Sequence, residues 1–455
     1  MITSLRLKNF KSWRELPKIR LAPITGFFGT NSSGKTSLLQ LLLMLKQTTE
    51  SPDRTQVLNL GDERSSVSLG SFLDVVHESK PSEALEWELS WKLPKPYQVM
   101  DPERRGTPLF SGTELTFGCE VGLGDSGRVA AQQLWYCFGG QDFRMKMKGE
   151  GKYALLPTAK QSAGFAFKRG VGRPWDLPAP IKCYGFPDQV KAYYQNADFL
   201  SDFALHLEGL AQRLHYLGPL REYPHREYTW TGAEPAVMGQ RGENVVHAIL
   251  ASRKFMRKIG RGRGRKALTL EEYVAFWLQE LDLVDEFMVK EIAPNTNLYA
   301  VHVKKSDKAA EVSITDIGFG VSQILPVVVL CYYAPEGSTV ILEQPEIHLH
   351  PSVQSGLADV FVDAVTKRKV QIIVESHSEH LLRRIQRRIA EEKLSKDETA
   401  LYFCEMSDGE SKIRELELDL LGRITNWPSD FFADQFGEIA ETQRAQLRRQ
   451  LKARA

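Results

Sequence analysis

No stretch of this chain approaches the roughly 18 uninterrupted apolar residues that a membrane-spanning helix needs. The opening residues, Met1-Ile-Thr-Ser-Leu-Arg-Leu-Lys, also lack the basic-then-apolar layout of a secretory signal. Cysteine is sparse: Cys119, Cys137, Cys183, Cys331 and Cys404 are far apart and form no C-x-x-C pair, which excludes both a disulfide framework and a cysteine-built zinc site. Charge of one sign is lacking too, with 59 Lys and Arg against 57 Asp and Glu, so any nucleic-acid role must rest on a local patch. No heptad run of about 3–4 repeats is present, and no internal repeat, which excludes a coiled coil and a solenoid. These absences leave a globular, cytoplasmic chain with reduced thiols, long enough at 455 residues for two or three domains.

What is present begins at Ile24. Gly29-Thr-Asn31-Ser32-Ser33-Gly34-Lys35-Thr36 matches the phosphate-binding pattern G-x-x-x-x-G-K-[ST] without a gap, and Ser37 follows. The pattern predicts chemistry only between a strand and a helix. Ile24 to Phe28 is an apolar run of strand length, and Ser37 to Leu45 continues as a helix apolar on nearly every face, hence buried. In that setting main-chain N–H groups curl around phosphate oxygens at a helix N-terminus. Lys35 reaches the β- and γ-phosphates, and Thr36 offers its hydroxyl to Mg²⁺. The sequence therefore predicts binding of a nucleoside triphosphate.

A second half of the site lies some 300 residues on. Val340-Ile-Leu342 is a buried-strand run ending in Glu343, a carboxylate placed to hold Mg²⁺ together with Thr36. Gln344-Pro-Glu346-Ile-His348-Leu-His350-Pro follows, and the next strand run, Val370 to Val374, leads into Glu375-Ser-His377-Ser. Asp316-Ile-Gly318-Phe-Gly320-Val-Ser322-Gln323 opens a predicted helix from Ser322 to Tyr333 that Pro326 interrupts. Between the halves, Leu85 to Leu93 alternates as a strand and residues 94 to 180 are rich in Gly, Pro and short strand-like pieces. Asp198 to Leu214 reads as a helix, as does Leu268 to Leu283, begun at Thr269. The last strand is expected over Ala400 to Phe403.

Glu343-Gln-Pro-Glu-Ile-His-Leu-His-Pro351 resembles the E-P-E-x-H-L-H-P segment of the ABC-type ATPases that include RecF, the SMC proteins and the OLD-family ATPases. Ile2 to Ser12 resembles their first strand and turn, and Val374 to Leu382 their switch-histidine segment. The match is closest to a branch of bacterial AAA-type ATPases marked by E-Q-P-E-x-H-L-H-P and a tail like Asn426-Trp-Pro-Ser-Asp-Phe-Phe-Ala-Asp434. The resemblance covers roughly residues 1 to 90 and 290 to 435. It implies an α/β P-loop NTPase of ABC-ATPase head type, split by a β-rich and helical insertion, with ATP and Mg²⁺ as cofactors. It assigns the switch role to His377 and a signature role to Gly318, Gly320, Ser322 and Gln323, which in the family close over the γ-phosphate held by another subunit. Relatives carry a catalytic glutamate where this chain has Gln344, so hydrolysis is expected to be slow unless Glu346 or His377 compensates.

The expected organisation is an N-terminal ATPase lobe over 1–93, a β-rich insertion over 94–196, a helical middle over 197–291, a C-terminal ATPase lobe over 292–425 and a helical tail over 426–455. Some 50 residues after Phe403 are too few for the nuclease domain that OLD proteins carry, so an effector, nuclease or toxin, is expected as a separate polypeptide. The resemblance favours an ATP-sandwiched homodimer, or a larger oligomer, acting as the sensor ATPase of a bacterial anti-phage system. A RecF-like DNA-binding repair ATPase is the alternative, and a nucleotide-gated scaffold a third. DNA as a partner rests on Arg253 to Lys266, where eight of fourteen residues are basic, although most such runs are solvated or pair with protein. His348 and His350 read as structural, and Arg221 as one half of a salt bridge.

Overall fold

The apolar runs assemble into a single six-stranded sheet in the computed structural model, which describes residues 1–101, 106–156, 165–170, 172, 175–260, 262, 264, 266–306, 308–428, 443–444, 446 and 449. The chain opens with β1 (Ile2–Phe10), β2 (Trp13–Arg20) and β3 (Ile24–Gly29), then helix α1 (Lys35–Glu50). Five antiparallel strands follow: β4 (Leu85–Met100), β5 (Pro108–Leu123), β6 (Val129–Phe138), β7 (Gln141–Gly149) and β8 (Lys152–Leu155). Then come α2 (Phe199–Gln212), β9 (Leu214–Leu217), α3 (Val245–Lys254), α4 (Leu270–Glu280), and the hairpin of β10 (Glu286–Glu291) and β11 (Leu298–Lys304). The C-terminal part holds α5 (Phe319–Tyr333), β12 (Thr339–Glu343), α6 (Pro351–Arg368), β13 (Gln371–Glu375), α7 (Glu379–Ala390), β14 (Thr399–Ser407) and β15 (Glu410–Glu415).

The six-stranded sheet runs β15-β14-β3-β13-β12-β9. All of its pairings are parallel except that of the edge strand β15. Parallel strands covered on both faces read as continuous apolar runs, which is why β3, β12 and β13 are buried at nearly every position. Their side chains still alternate between faces. Ile341 and Ile373 join a core with α1, α2 and the antiparallel sheet, while Val340, Leu342, Ile372 and Val374 join a second core with α5, α6 and α7. Helix α1 lies in the first of these cores, and that surrounding explains its apolar girth.

The structure differs from the sequence expectation at several joints. The boundary expected at 93/94 falls inside β4, which pairs with β1, so the β-rich region extends the N-terminal β1–β2 hairpin into one seven-stranded sheet, β2-β1-β4-β5-β6-β7-β8. Gln371 ties that sheet to the parallel one: its amide accepts from the Ile2 N–H and donates to the Ile2 and Ala22 carbonyls. Leu214–Leu217 is not the end of a helix but strand β9, because it pairs in parallel with Thr339–Leu342. The segment expected to be a helical middle thus supplies an edge of the nucleotide-type sheet. Pro326 does not break α5: it costs a single backbone bond in a helix whose buried face carries Val321, Ile324, Leu325 and Val328. Thr269 caps α4 through a reciprocal capping box with Glu272, as its sequence signals. From residue 429 onward the expected C-terminal tail lies almost wholly outside the described residues. No helix among the described residues is long and apolar enough to cross a membrane.

Candidate functional site

The site is built where β3, β12 and β13 end. At the end of β3 the chain must pass so close to β14 that a Cβ on Gly29 would stand 1.9 Å from the Cys404 carbonyl oxygen. At Gly34 the backbone is left-handed, φ 85°, and a Cβ would fall 2.3 Å from the Ser411 hydroxyl. Neither position admits a side chain, so the glycine spacing of the motif is dictated by packing as well as by phosphate access. The indole of Trp13 donates to the Gly34 carbonyl at 3.0 Å and fixes the loop from below.

Lys35 is buried, and its ammonium donates to the carbonyls of Gly29 (3.2 Å) and Thr30 (2.6 Å) and lies 3.4 Å from the Ser33 hydroxyl. Burial lowers its pKa, opposed by Glu375 and Glu346 nearby. The ammonium therefore sits in the hollow of the loop, in reach of an anion there. Ser12, residues 31–37, Gln344, Glu375 and His377 line a cleft of about 230 Å³ over this hollow.

Three carboxylates stand near the cleft, and of them only Glu375 lines it. Glu343 ends β12 and Glu375 ends β13, directly opposite each other in register. Glu343 accepts a hydrogen bond from the Tyr216 hydroxyl at 2.8 Å, and burial raises its pKa. Glu375 accepts from the Thr36 hydroxyl at 3.0 Å, and its second oxygen is buried without a partner. Burial, and next the charge of Glu343, push Glu375 up to about 7. Glu346 is buried and does not line the cleft: it accepts from the His377 N–H at 2.6 Å and so holds the start of the histidine segment. Glu379, at the start of α7, pairs with Arg383. Burial lowers the His377 pKa, and Lys35 lowers it further, so the ring stands neutral at pH 7. Gln344 has a positive φ of 43°, and its N–H donates to the Glu375 carbonyl at 2.9 Å, which presents its side chain to the cleft.

Arg221 is buried behind this wall, with its guanidinium 3.5 Å from the main-chain oxygen of Glu343 in place of the expected carboxylate partner. Burial brings its pKa down to about 10. His350 caps α6 and His348 packs its ring against Phe319, the structural roles expected of them. The signature segment does not line this cleft. Gly318 and Phe319 at the start of α5 are exposed, whereas Ser322 and Gln323 are buried one turn in, with Ser322 bonded to the Phe319 carbonyl. Of the basic run, Arg253 pairs with Glu271, Arg257 with Glu234, and Lys254 with the Gly232 carbonyl. Arg261, Arg263 and Arg265 lie outside the described residues.

Residues 1–86 match the family described as "AAA ATPase domain", and residues 248–383 the family described as "AAA domain, putative AbiEii toxin, Type IV TA system". The chain carries AAA-family ATPase domains. The first of these matches ends, and the second begins, on either side of the segment that holds most of the antiparallel sheet and α2. Residues 394–441 of the ATPase match a family of unknown function, DUF3696. Solved structures similar to it include the SMC head domain from Thermotoga maritima (12% identity, TM-score 0.42, covering 91% of this chain and 99% of that one). Another is the Smc head domain with an extended coiled coil bound to the C-terminal domain of ScpA from Pyrococcus furiosus (12%, 0.43, 92% and 96%). Likeness at that level carries no functional weight. No curated protein matches the ATPase.

Two features of the site escaped the sequence reading. Ser12 enters the cleft because its main-chain oxygen and hydroxyl are both held by Ser411. Glu375 carried a legible signal, since Gln371-Ile-Ile-Val-Glu375 has the same form as Thr339-Val-Ile-Leu-Glu343.

Proposed function

We propose that this ATPase is a nucleotide-gated switch: it binds ATP with Mg²⁺, closes as a head-to-tail dimer over the nucleotide, and signals to a separately encoded effector of an anti-phage system. The observation that carries the nucleotide part is the Lys35 ammonium inside a glycine-bounded loop, one residue from a Thr36 hydroxyl that faces carboxylates. The oxygen-only donor set of Thr36, Glu343 and the unpartnered Glu375 oxygen suits a hard divalent cation. Thr36, with Glu343 behind it, would hold Mg²⁺, which when bound would supply positive charge to the phosphates. The backbone of residues 31 to 37 cradles the phosphate oxygens, Gln344 orients the attacking water, and His377 faces the γ-phosphate.

The dimer part is supported by the surface around α5. A 15-residue helix presents its N-terminus to solvent at Gly318, and Tyr223 (70% exposed) and Phe319 (38%) stand there as uncovered apolar rings. The rings of Tyr223 and Phe319 lie 5.3 Å apart, tilted by 50°. A helix start attracts anionic phosphate, and an apolar rim suits a partner surface. Because Ser322 and Gln323 are buried, the backbone at Gly318 to Gly320 makes the first contact with a partner's γ-phosphate. The defence assignment draws on the AbiEii-toxin description of the family matched by residues 248–383. Of the described basic residues of the run, Arg253 and Arg257 are held in ion pairs and Lys254 by a main-chain carbonyl, while Lys258 and Lys266 are exposed, so the RecF-like DNA-binding reading stays as the alternative.

Gly320→Asp tests the dimer. A Cβ there meets only Leu283 at 3.8 Å, so the fold accepts the change, and an acidic group in a first helical turn adds about 0.3–1 kcal/mol to the monomer. The same charge repels a γ-phosphate. The expected result is unchanged ATP binding and loss of ATP-induced association by light scattering. Normal association would rule out α5 as the closing surface. Phage plating on cells that carry the ATPase gene with its neighbour, wild type against Lys35→Ala, tests the defence role.

A further inference from the structure

The two acidic strand ends are not equivalent with respect to the phosphate loop. In the order β3-β13-β12-β9, strand β13 lies directly beside β3, and Glu375 stands opposite Phe27. Glu343 is one strand further out, and its carboxylate is turned to Tyr216 on the outer strand β9. The hydroxyl that a phosphate loop offers to a divalent cation, that of Thr36, is bonded to Glu375 and not to Glu343. The second Glu375 oxygen is buried, with the residue 2% exposed, and no donor reaches it. A buried carboxylate oxygen without a donor is costly unless a cation satisfies it. Lys35 is not that cation, because its ammonium is spent on the carbonyls of Gly29 and Thr30.

We infer that Glu375 is a second carboxylate of the magnesium site, standing between Thr36 and Glu343, so that the cation is held by two acidic strand ends. The inference rests on the ATP and Mg²⁺ reading above and adds a property to it. The Glu375 carboxylate on the cleft wall, with Glu343 behind it, repels free ATP, and a bound metal converts that repulsion into attraction. The switch therefore responds to Mg²⁺-bound ATP and discriminates against ATP alone.

Glu375→Gln separates these contributions. The amide keeps the size of the side chain and an oxygen acceptor for Thr36, and removes the charge. Binding of a fluorescent ATP analogue is measured for wild type and variant with saturating Mg²⁺ and with EDTA. One unit charge at phosphate distance in a partly buried cleft corresponds to about a tenfold change in affinity or more. The variant is thus expected to bind about tenfold tighter than wild type in EDTA and about tenfold weaker with Mg²⁺. Glu375→Asp retains the charge and should keep the weak EDTA binding while losing part of the Mg²⁺ gain, and it serves if the amide variant does not fold. A wild-type ratio of the two affinities in Glu375→Gln, with wild-type melting of the ligand-free protein, overturns the inference and leaves the nucleotide reading intact. Failure of the wild-type protein to bind ATP under both conditions overturns both.

Discussion

Lys35→Ala should weaken ATP binding by roughly 30-fold to several-thousand-fold, while the ligand-free protein melts at the wild-type temperature or slightly above it. The two halves of this result have one origin. Lys35 is buried with its ammonium held by main-chain carbonyls, and desolvation already lowers its pKa, so its charge is a cost to the ligand-free fold. Truncation to Ala relieves that cost. A bound triphosphate reverses the balance, because the ammonium then faces anionic oxygens. Deleting one partner of a buried, hydrogen-bonded charge pair costs about 2–5 kcal/mol, or roughly 30-fold to several-thousand-fold in Kd. Calorimetry of ATP binding, with a thermal melt of the ligand-free variant beside it, checks both halves. Retained affinity would mean that the loop does not take the phosphates, and a collapsed melt would mean that Lys35 is a structural residue.

The parts of this site differ in how far a sequence can disclose them. The phosphate loop is contiguous, and each of its constraints acts within a few residues: the tight passage at Gly29, the left-handed turn at Gly34, the lysine and hydroxyl on the first turn of α1. Such a site is written in order along the chain. The buried strands are also legible, since a strand covered on both faces needs apolar residues at every position. What the chain does not write in order is which strand lies next to which. Glu343 draws attention because polar, histidine-rich residues follow it, yet sheet order puts Glu375 nearer the loop. Glu346 is comparable: its position two residues beyond Gln344 suggests the cleft, and only the fold turns it toward the His377 backbone. Strand β9 is hidden for a different reason. Four residues directly after a helix carry no periodicity of their own, and they become a strand only because β12 offers them an open edge. The family resemblance covers the two ends of the chain and leaves the antiparallel sheet between them unanticipated as a continuation of β1 and β2.

Gln344→Glu is expected to accelerate ATP hydrolysis by about 10²–10⁴-fold, the usual contribution of a positioned general base. Gln344 lines the cleft with its backbone in a left-handed turn and its N–H bonded to the Glu375 carbonyl, so the side chain enters from a fixed point. Its amide can orient a water molecule but cannot take the proton that the water must lose. Neither alternative base is well placed to compensate. Glu346 is buried away from the cleft on the His377 N–H, and His377 is neutral but offers a base whose pKa burial and Lys35 depress. Introducing Glu at 344 sets a second carboxylate in the cleft beside Glu375, and neighbouring like charges raise one another's pKa. Such a base is therefore poised closer to neutrality than a free glutamate, which favours proton transfer at pH 7. For a switch that signals by staying closed, this gain in turnover is a loss of function: the variant should hydrolyse quickly, hold its dimer briefly and fail to maintain the signalling state. Phosphate release measured beside the lifetime of the ATP-induced dimer checks both sides. If the wild type already turns over fast and Gln344→Glu slows it, the proton is taken by a route that does not pass through residue 344, and the switch does not depend on slow hydrolysis.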